Sequence, residues 1–188
     1  MIEATWKRIE AWLAANAPPV LASLQAGASA EEIGQLERVL GVTLPDDVKA
    51  SYRIHDGQGE GSAGLTEEGD LLPLAQIARA WSSWQQLAVA GSFDMAESQP
   101  SGPIKTQWWN LRWIPFTHDG SGNHLCLDLD PAPGGTPGQV ITMWHDDARR
   151  KIVAASFSLW LAHFADQLEA GDYAYSESDG GWGRVVQG

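Results

Sequence analysis

Between positions 118 and 147 the chain gathers side chains of the types that bind metals or move protons. They are His118, Asp119, Asn123, His124, Asp128, Asp130, His145, Asp146 and Asp147. Two carboxylates and an imidazole meeting on one sheet face would hold zinc or a harder cation. The spacing matches no dense ligand motif, with neither a zincin helix nor paired cysteines. Asp119, Ser121, Asn123 and Asp130 imitate a calcium loop, but His124 stands where glycine is required and a short Asp replaces the closing Glu. The same residues have a plainer reading. Asp119 and Asn123 stabilise a turn through side-chain to backbone bonds, and Asp146-Asp147 ends a hairpin. That reading is preferred, and neither a metal nor any other cofactor is expected.

Other chemistries are weaker still. Gly120-Ser121-Gly122 lacks the Gly-x-Ser-x-Gly pattern of a nucleophile elbow. There is no Walker loop and no dinucleotide fingerprint. Cys126 is the only cysteine, which rules out an internal disulfide, and a small strand residue is its expected role. His55-Asp56 reads as the turn that leaves a helix. No enzyme is expected.

The elements that would position these residues follow from periodicity and punctuation. Thr5 to Asn16 reads as a helix with Trp6, Ile9, Trp12 and Leu13 on one side, ended by Asn16-Ala-Pro-Pro19. A loop through Leu24 and Gly27 follows. Ser29 with Glu32 forms a capping box for a second helix, and Gly41 stops it. Leu44-Pro45 opens a third helix with Val48 and Tyr52 facing inward. Gly59 to Gly69 reads as a loop, Leu71-Leu72 as a short strand, and Pro73 or Leu74 to about Ala90 as a helix. Residues 91–105 have no clean period and read as an insertion loop. Trp113 to Ala154 is a strand meander. In it Leu125, Leu127 and Leu129 share one face, with Cys126, Asp128 and Asp130 on the other. Ser156 caps a last helix carrying Phe157, Trp160, Leu161, Phe164 and Leu168, and Gly171 ends it. Residues 1–172 form one domain in this reading, and 173–188 a loosely ordered tail unless Trp182 docks it.

These segments carry a resemblance. Trp113-Ile-Pro-Phe116, Asp119-Gly-Ser-Gly-Asn123, Cys126-Leu-Asp128, Gly138-Gln-Val140 and Ala155-Ser-Phe157, in that order, resemble the SUKH superfamily. Upstream, Leu44-Pro-Asp-Asp-Val-Lys-Ala-Ser-Tyr52 and His55-Asp-Gly-Gln58 are similar to the first block of the same group. The resemblance implies an α+β fold: N-terminal helices, then a mainly antiparallel twisted sheet of about five or six strands, closed by a C-terminal helix. It assigns no catalytic role to the matching positions. Pro45, Tyr52, His55, Asp56, Gly57, Trp113, Pro115, Asn123, Ser156 and Phe157 are expected to be structural.

The superfamily includes fungal cell-wall-assembly regulators and bacterial immunity proteins. The leading expectation is therefore a non-enzymatic protein-binding domain, an immunity protein that neutralises a cognate toxin. A regulatory scaffold of the cell-wall type is the alternative, and a metal-dependent hydrolase the third choice. A net charge of -12 opposes direct contact with nucleic acid and favours a partner with a basic surface. Asp119, Asp128, Asp130, Asp146 and Asp147 are the expected contact carboxylates. Trp108 or Trp109 is the expected anchor, since adjacent strand residues point to opposite faces. No apolar run spans a bilayer and no signal-peptide pattern opens the chain, so a cytoplasmic location is expected. Nothing in the sequence selects an oligomeric state.

Overall fold

A computed structural model describes residues 2–59, 63–176 and 181–185. The chain opens with α1 (Ile2–Asn16), α2 (Pro18–Ser23), α3 (Ala30–Leu40) and α4 (Asp46–Tyr52). Trp6, Ile9 and Leu13 of α1 are buried on one stripe. Helix α2 lies where a loop was expected. The Pro-Pro pair that cannot continue α1 sits at the first positions of the next helix, where the missing N–H costs nothing. Both halves of the Ser29–Glu32 capping box form, and Gly41 closes α3 at φ 66°. Pro45 precedes α4 with no side-chain cap of its own.

There follow β1 (Asp70–Leu71), α5 (Leu74–Val89), β2 (Gln99–Ser101), β3 (Trp113–Pro115), β4 (Thr117–His118), β5 (His124–Asp128), β6 (Gln139–Met143) and β7 (Arg149–Ala154). The chain then forms α6 (Phe157–Ala170), β8 (Tyr173–Ser176) and β9 (Gly181–Arg184). The main sheet has five strands in the order β2-β7-β6-β5-β3, and β1 pairs separately with β4. The ladders β3–β5, β5–β6 and β6–β7 are antiparallel. Strand β2 runs parallel to β7, so the α+β sheet is mixed. It comes from within residues 91–105, read from sequence as an insertion loop. Pro100 is tolerated there because β2 is an edge strand.

The meander buries more than alternation predicted. All five residues of β5 are buried, Cys126 and Asp128 included. Both faces of the sheet are covered by aromatic rings. On one, Phe116 meets Phe157 and Trp160 of α6 edge-on. On the other, Trp113 packs against Trp109, which stacks on Trp84 of α5. The layer holding Trp109 has no periodicity of its own, so sequence spacing could not reveal that it packs on Trp113.

Ser156 caps α6 by accepting from the Leu159 N–H, and Gly171 ends it at φ 75°. Beyond it, β8 and β9 form a hairpin in the tail that was expected to be loose unless Trp182 docked it. Trp182 stacks on Trp12 at 5.8 Å, and its Nε1 donates to the Gly64 carbonyl at 2.6 Å. Residues 60–62 of the expected loop, and 177–180 and 186–188 of the expected tail, lie outside the described residues. No helix among those described is long and apolar enough to cross a membrane.

Candidate protein-interaction site

The His-Asp gathering separates into structural devices. Asp119 organises the turn between β4 and β5. Its Oδ1 accepts from the backbone N–H groups of Ser121 and Asn123, and its Oδ2 accepts from the Ser121 hydroxyl and the Asn123 amide. Partial burial pushes this carboxyl up, but those bonds together outweigh it and hold it at about 2. Asn123 reaches onward, accepting at Oδ1 from the His145 backbone N–H. The turn after β4 and the turn after β6 are thereby tied together.

Asp128 is fully buried and cannot meet a partner, contrary to the surface role expected for it. Its carboxylate accepts from Trp113 Nε1, Gln139 Nε2 and the Asp130 N–H. Burial still raises its carboxyl above the usual range. Asp130 is engaged by Lys105 and Asn110. Asp147 is paired with Arg149, which holds it at about 2. Asp146 is exposed, with His145 Nδ1 at 3.8 Å. Among the described residues, no three His, Cys, Asp or Glu side chains converge to hold a metal ion. Cys126 is buried at the sheet centre, where loss of hydration pushes its thiol up.

Of Trp108 and Trp109, either of which was expected as an anchor, the structure removes Trp109 from the surface. Trp109 is buried between Trp84 and Trp113. Trp108 is half-buried under the guanidinium of Arg150, 5.1 Å from its ring centre. Arg150 is itself fully buried and, among the described residues, forms no ion pair with a carboxylate. It donates to the carbonyls of Asp147, Arg149 and Trp108, and the indole faces of Trp108 and Trp113 complete its surroundings.

The motif positions form a second clamp. The Tyr52 hydroxyl donates to the Leu72 carbonyl, and Asp56 accepts from the Leu74 N–H at the start of α5. Gly57 has φ 68°, and a Cβ there would lie 2.4 Å from Pro73 N. His55 Nδ1–H donates to the Gln25 carbonyl, while its Nε2 lies 2.7 Å from Glu10. Gln58, unremarked in the sequence beyond its turn, is buried and bonds at both ends of its amide. It accepts from Leu65 and Leu71 N–H and donates to Ser23 and Ala63.

One open stretch of surface lies between these turns. A groove of 340 Å³ is lined by Glu67, Glu68, Asp119, Thr142, Trp144 and Val153. Trp144 is 41% exposed and Val153 39%, both large apolar residues left uncovered. Trp144 sits just past β6, where the bonded turns hold it beside the carboxylates. Sequence spacing could not find this site, because Glu67 and Glu68 meet Trp144 only through the pairing of β1 with β4 and the tie from Asn123 to His145.

Comparison with known proteins agrees with this architecture. The family model for the SMI1 / KNR4 family (SUKH-1) matches residues 27–163. That span holds the Tyr52–Gln58 clamp, the Asp119 turn and the buried Asp128. The chain belongs to the SMI1 / KNR4 (SUKH-1) family. A cell wall biosynthesis/cell cycle regulator, smi1 of Schizosaccharomyces pombe, is 32% identical over 95% of this chain and 38% of its own length. A glucan synthesis regulatory protein of Neurospora crassa is 27% identical over 94% of this chain and 40% of its own. The cell wall assembly regulator SMI1 of Saccharomyces cerevisiae is 28% identical over 89% of this chain and 40% of its own. This SUKH-1 chain therefore spans about two fifths of the length of these relatives.

Proposed function

We propose that this chain is a non-catalytic regulatory domain of the cell-wall-regulator kind, acting in the cytoplasm by binding a protein partner with a basic surface. The observation that carries the reading is the exposed Trp144 set in a groove with Glu67, Glu68 and Asp119. Tryptophan is a favoured interface anchor, and its ring face attracts Lys or Arg. Nearby carboxylates, within a chain of net charge -12, add attraction that salt screens. Asp146, exposed two residues beyond Trp144, extends the acidic rim.

The regulatory reading takes precedence over toxin neutralisation because the relatives named above are fungal regulators. Those names give the immunity reading no support. The non-catalytic part of the proposal is supported by Asp119, Asp128 and Asp147, whose carboxylates are engaged in holding turns and strands.

The test is affinity capture from native cells with the tagged chain, beside Trp144→Ala and Glu68→Gln variants. The expected result is a cell-wall-synthesis or signalling protein held at low salt and lost with either variant. A polymorphic toxin as the captured protein would replace the regulatory reading with the immunity one. Retention of the same partner by both variants would remove the groove from the account.

A further inference from the structure

A second groove lies on the other side of the β4–β5 turn, of 410 Å³, between α5 and the two histidines. Helix α5 contributes Gln76, Arg79, Ser83 and Trp84, a spacing that puts them on one face. His118 and His124 supply the opposite wall, their ring centres 5.2 Å apart. Arg79 is the only charged side chain lining this groove among the described residues, and it makes no ion pair there. In a chain so rich in carboxylates, an uncompensated guanidinium beside two imidazoles is a distinct feature.

The backbone fixes the tautomers. His124 Nδ1 faces the Thr117 carbonyl at 2.7 Å, so that nitrogen carries the proton and Nε2 is a lone-pair acceptor. His118 Nδ1 accepts from the Gly120 N–H, so its Nε2 carries the proton and is a donor. His124 is only 5% exposed, and its Nε2 has no hydrogen-bond partner among the described residues. Burial holds this imidazole neutral, at about 4, against the opposing pull of the Thr117 bond; His118 also lowers it and Asp119 raises it. Asp70, paired with His118 across β1 and β4, is the other carboxylate close to the histidines.

We infer that this groove binds a protonated oxyanion, either hydrogen phosphate or a phosphate monoester. Arg79 and His118 Nε2–H would donate to unprotonated oxygens, and the P–OH would donate to His124 Nε2. Sulfate and carboxylates carry no proton at neutral pH and would face the His124 lone pair with negative oxygen. A groove with donors alone would not make that distinction. Free phosphate and a phosphorylated side chain share this chemistry.

The test is calorimetric titration of the full chain at pH 7 with inorganic phosphate, with sulfate at matched ionic strength, and with a phosphoserine peptide. Phosphate is expected to bind at least roughly tenfold tighter than sulfate, and Arg79→Gln to weaken it by a similar factor. A peptide that binds tighter than phosphate identifies a phosphoprotein as the source, and the reverse identifies a free ligand. The monoester must take up a proton above its second pKa of about 6, so its affinity should fall as pH rises from 7 to 8. Inorganic phosphate retains a proton and should change little. Equal binding of sulfate and phosphate, indifference to Arg79→Gln, or no binding of phosphate would each overturn the inference. Arg79 is exposed, so its replacement leaves the fold intact as a control.

Discussion

Trp113 and Asp128 face each other across β3 and β5, and the Trp113 indole Nε1 donates to Asp128 Oδ1 at 3.1 Å. This pair joins the sheet to the aromatic layer above it. Asp128→Ala would leave Trp113 Nε1, Gln139 Nε2 and the Asp130 N–H without their acceptor in a buried site. The expected cost is about 3 kcal/mol by urea denaturation.

The same residue sets a pH trend. Burial raises Asp128 in the folded chain above its unfolded value, so its contribution is most stabilising below the unfolded pKa and is lost as pH rises through the folded one. The stability of the wild type relative to Asp128→Asn should therefore decline from about pH 4 upward. Thermal melts of both proteins across that range check it. A difference that grows with pH would contradict the sign.

Asp119 runs the opposite way. Held at about 2 in the fold, it contributes stability that is present above its unfolded pKa and lost as pH falls through about 2. Asp119→Ala should remove this acid-limb loss and lower stability at neutral pH by about 1 kcal/mol, a modest value because the turn is exposed. Acid titration followed by near-ultraviolet circular dichroism separates the two proteins.

The clamp around residue 58 predicts two sensitive positions. Gln58→Leu leaves the Leu65 and Leu71 N–H groups without an acceptor and should cost about 3 kcal/mol. Gly57→Ala meets both a left-handed φ of 68° and a Cβ position 2.4 Å from Pro73 N. It should cost at least as much, or prevent folding. Denaturant midpoints measured on soluble fractions test both.

The helix boundaries were legible because caps are local. Ser29 with Glu32, Gly41, Ser156 and Gly171 each do what their types suggest, within a turn of the residues they bond. The matches to the SUKH superfamily carried the α+β order in the same way. Helix α2 was missed because Pro18-Pro19 signals both a stop and a start. Strand β2 was missed because its partner Arg149–Lys151 lies far downstream and supplies the pattern it lacks alone. The burial of Asp128 and the exposure of Trp144 are both tertiary facts. Each depends on which segment happens to cover the strand, and nothing in the spacing of the meander records it.

Partner contact is proposed at Trp144 and its neighbouring carboxylates. The most direct measurement is an amide and indole NMR map of the full chain, titrated with the basic partner segment obtained by capture. Shifts should concentrate at Trp144, Glu67, Glu68, Asp119 and Val153, and should shrink as salt is raised. Shifts centred elsewhere, such as the exposed Leu87, Val89 and Met95 around the end of α5, would contradict the account.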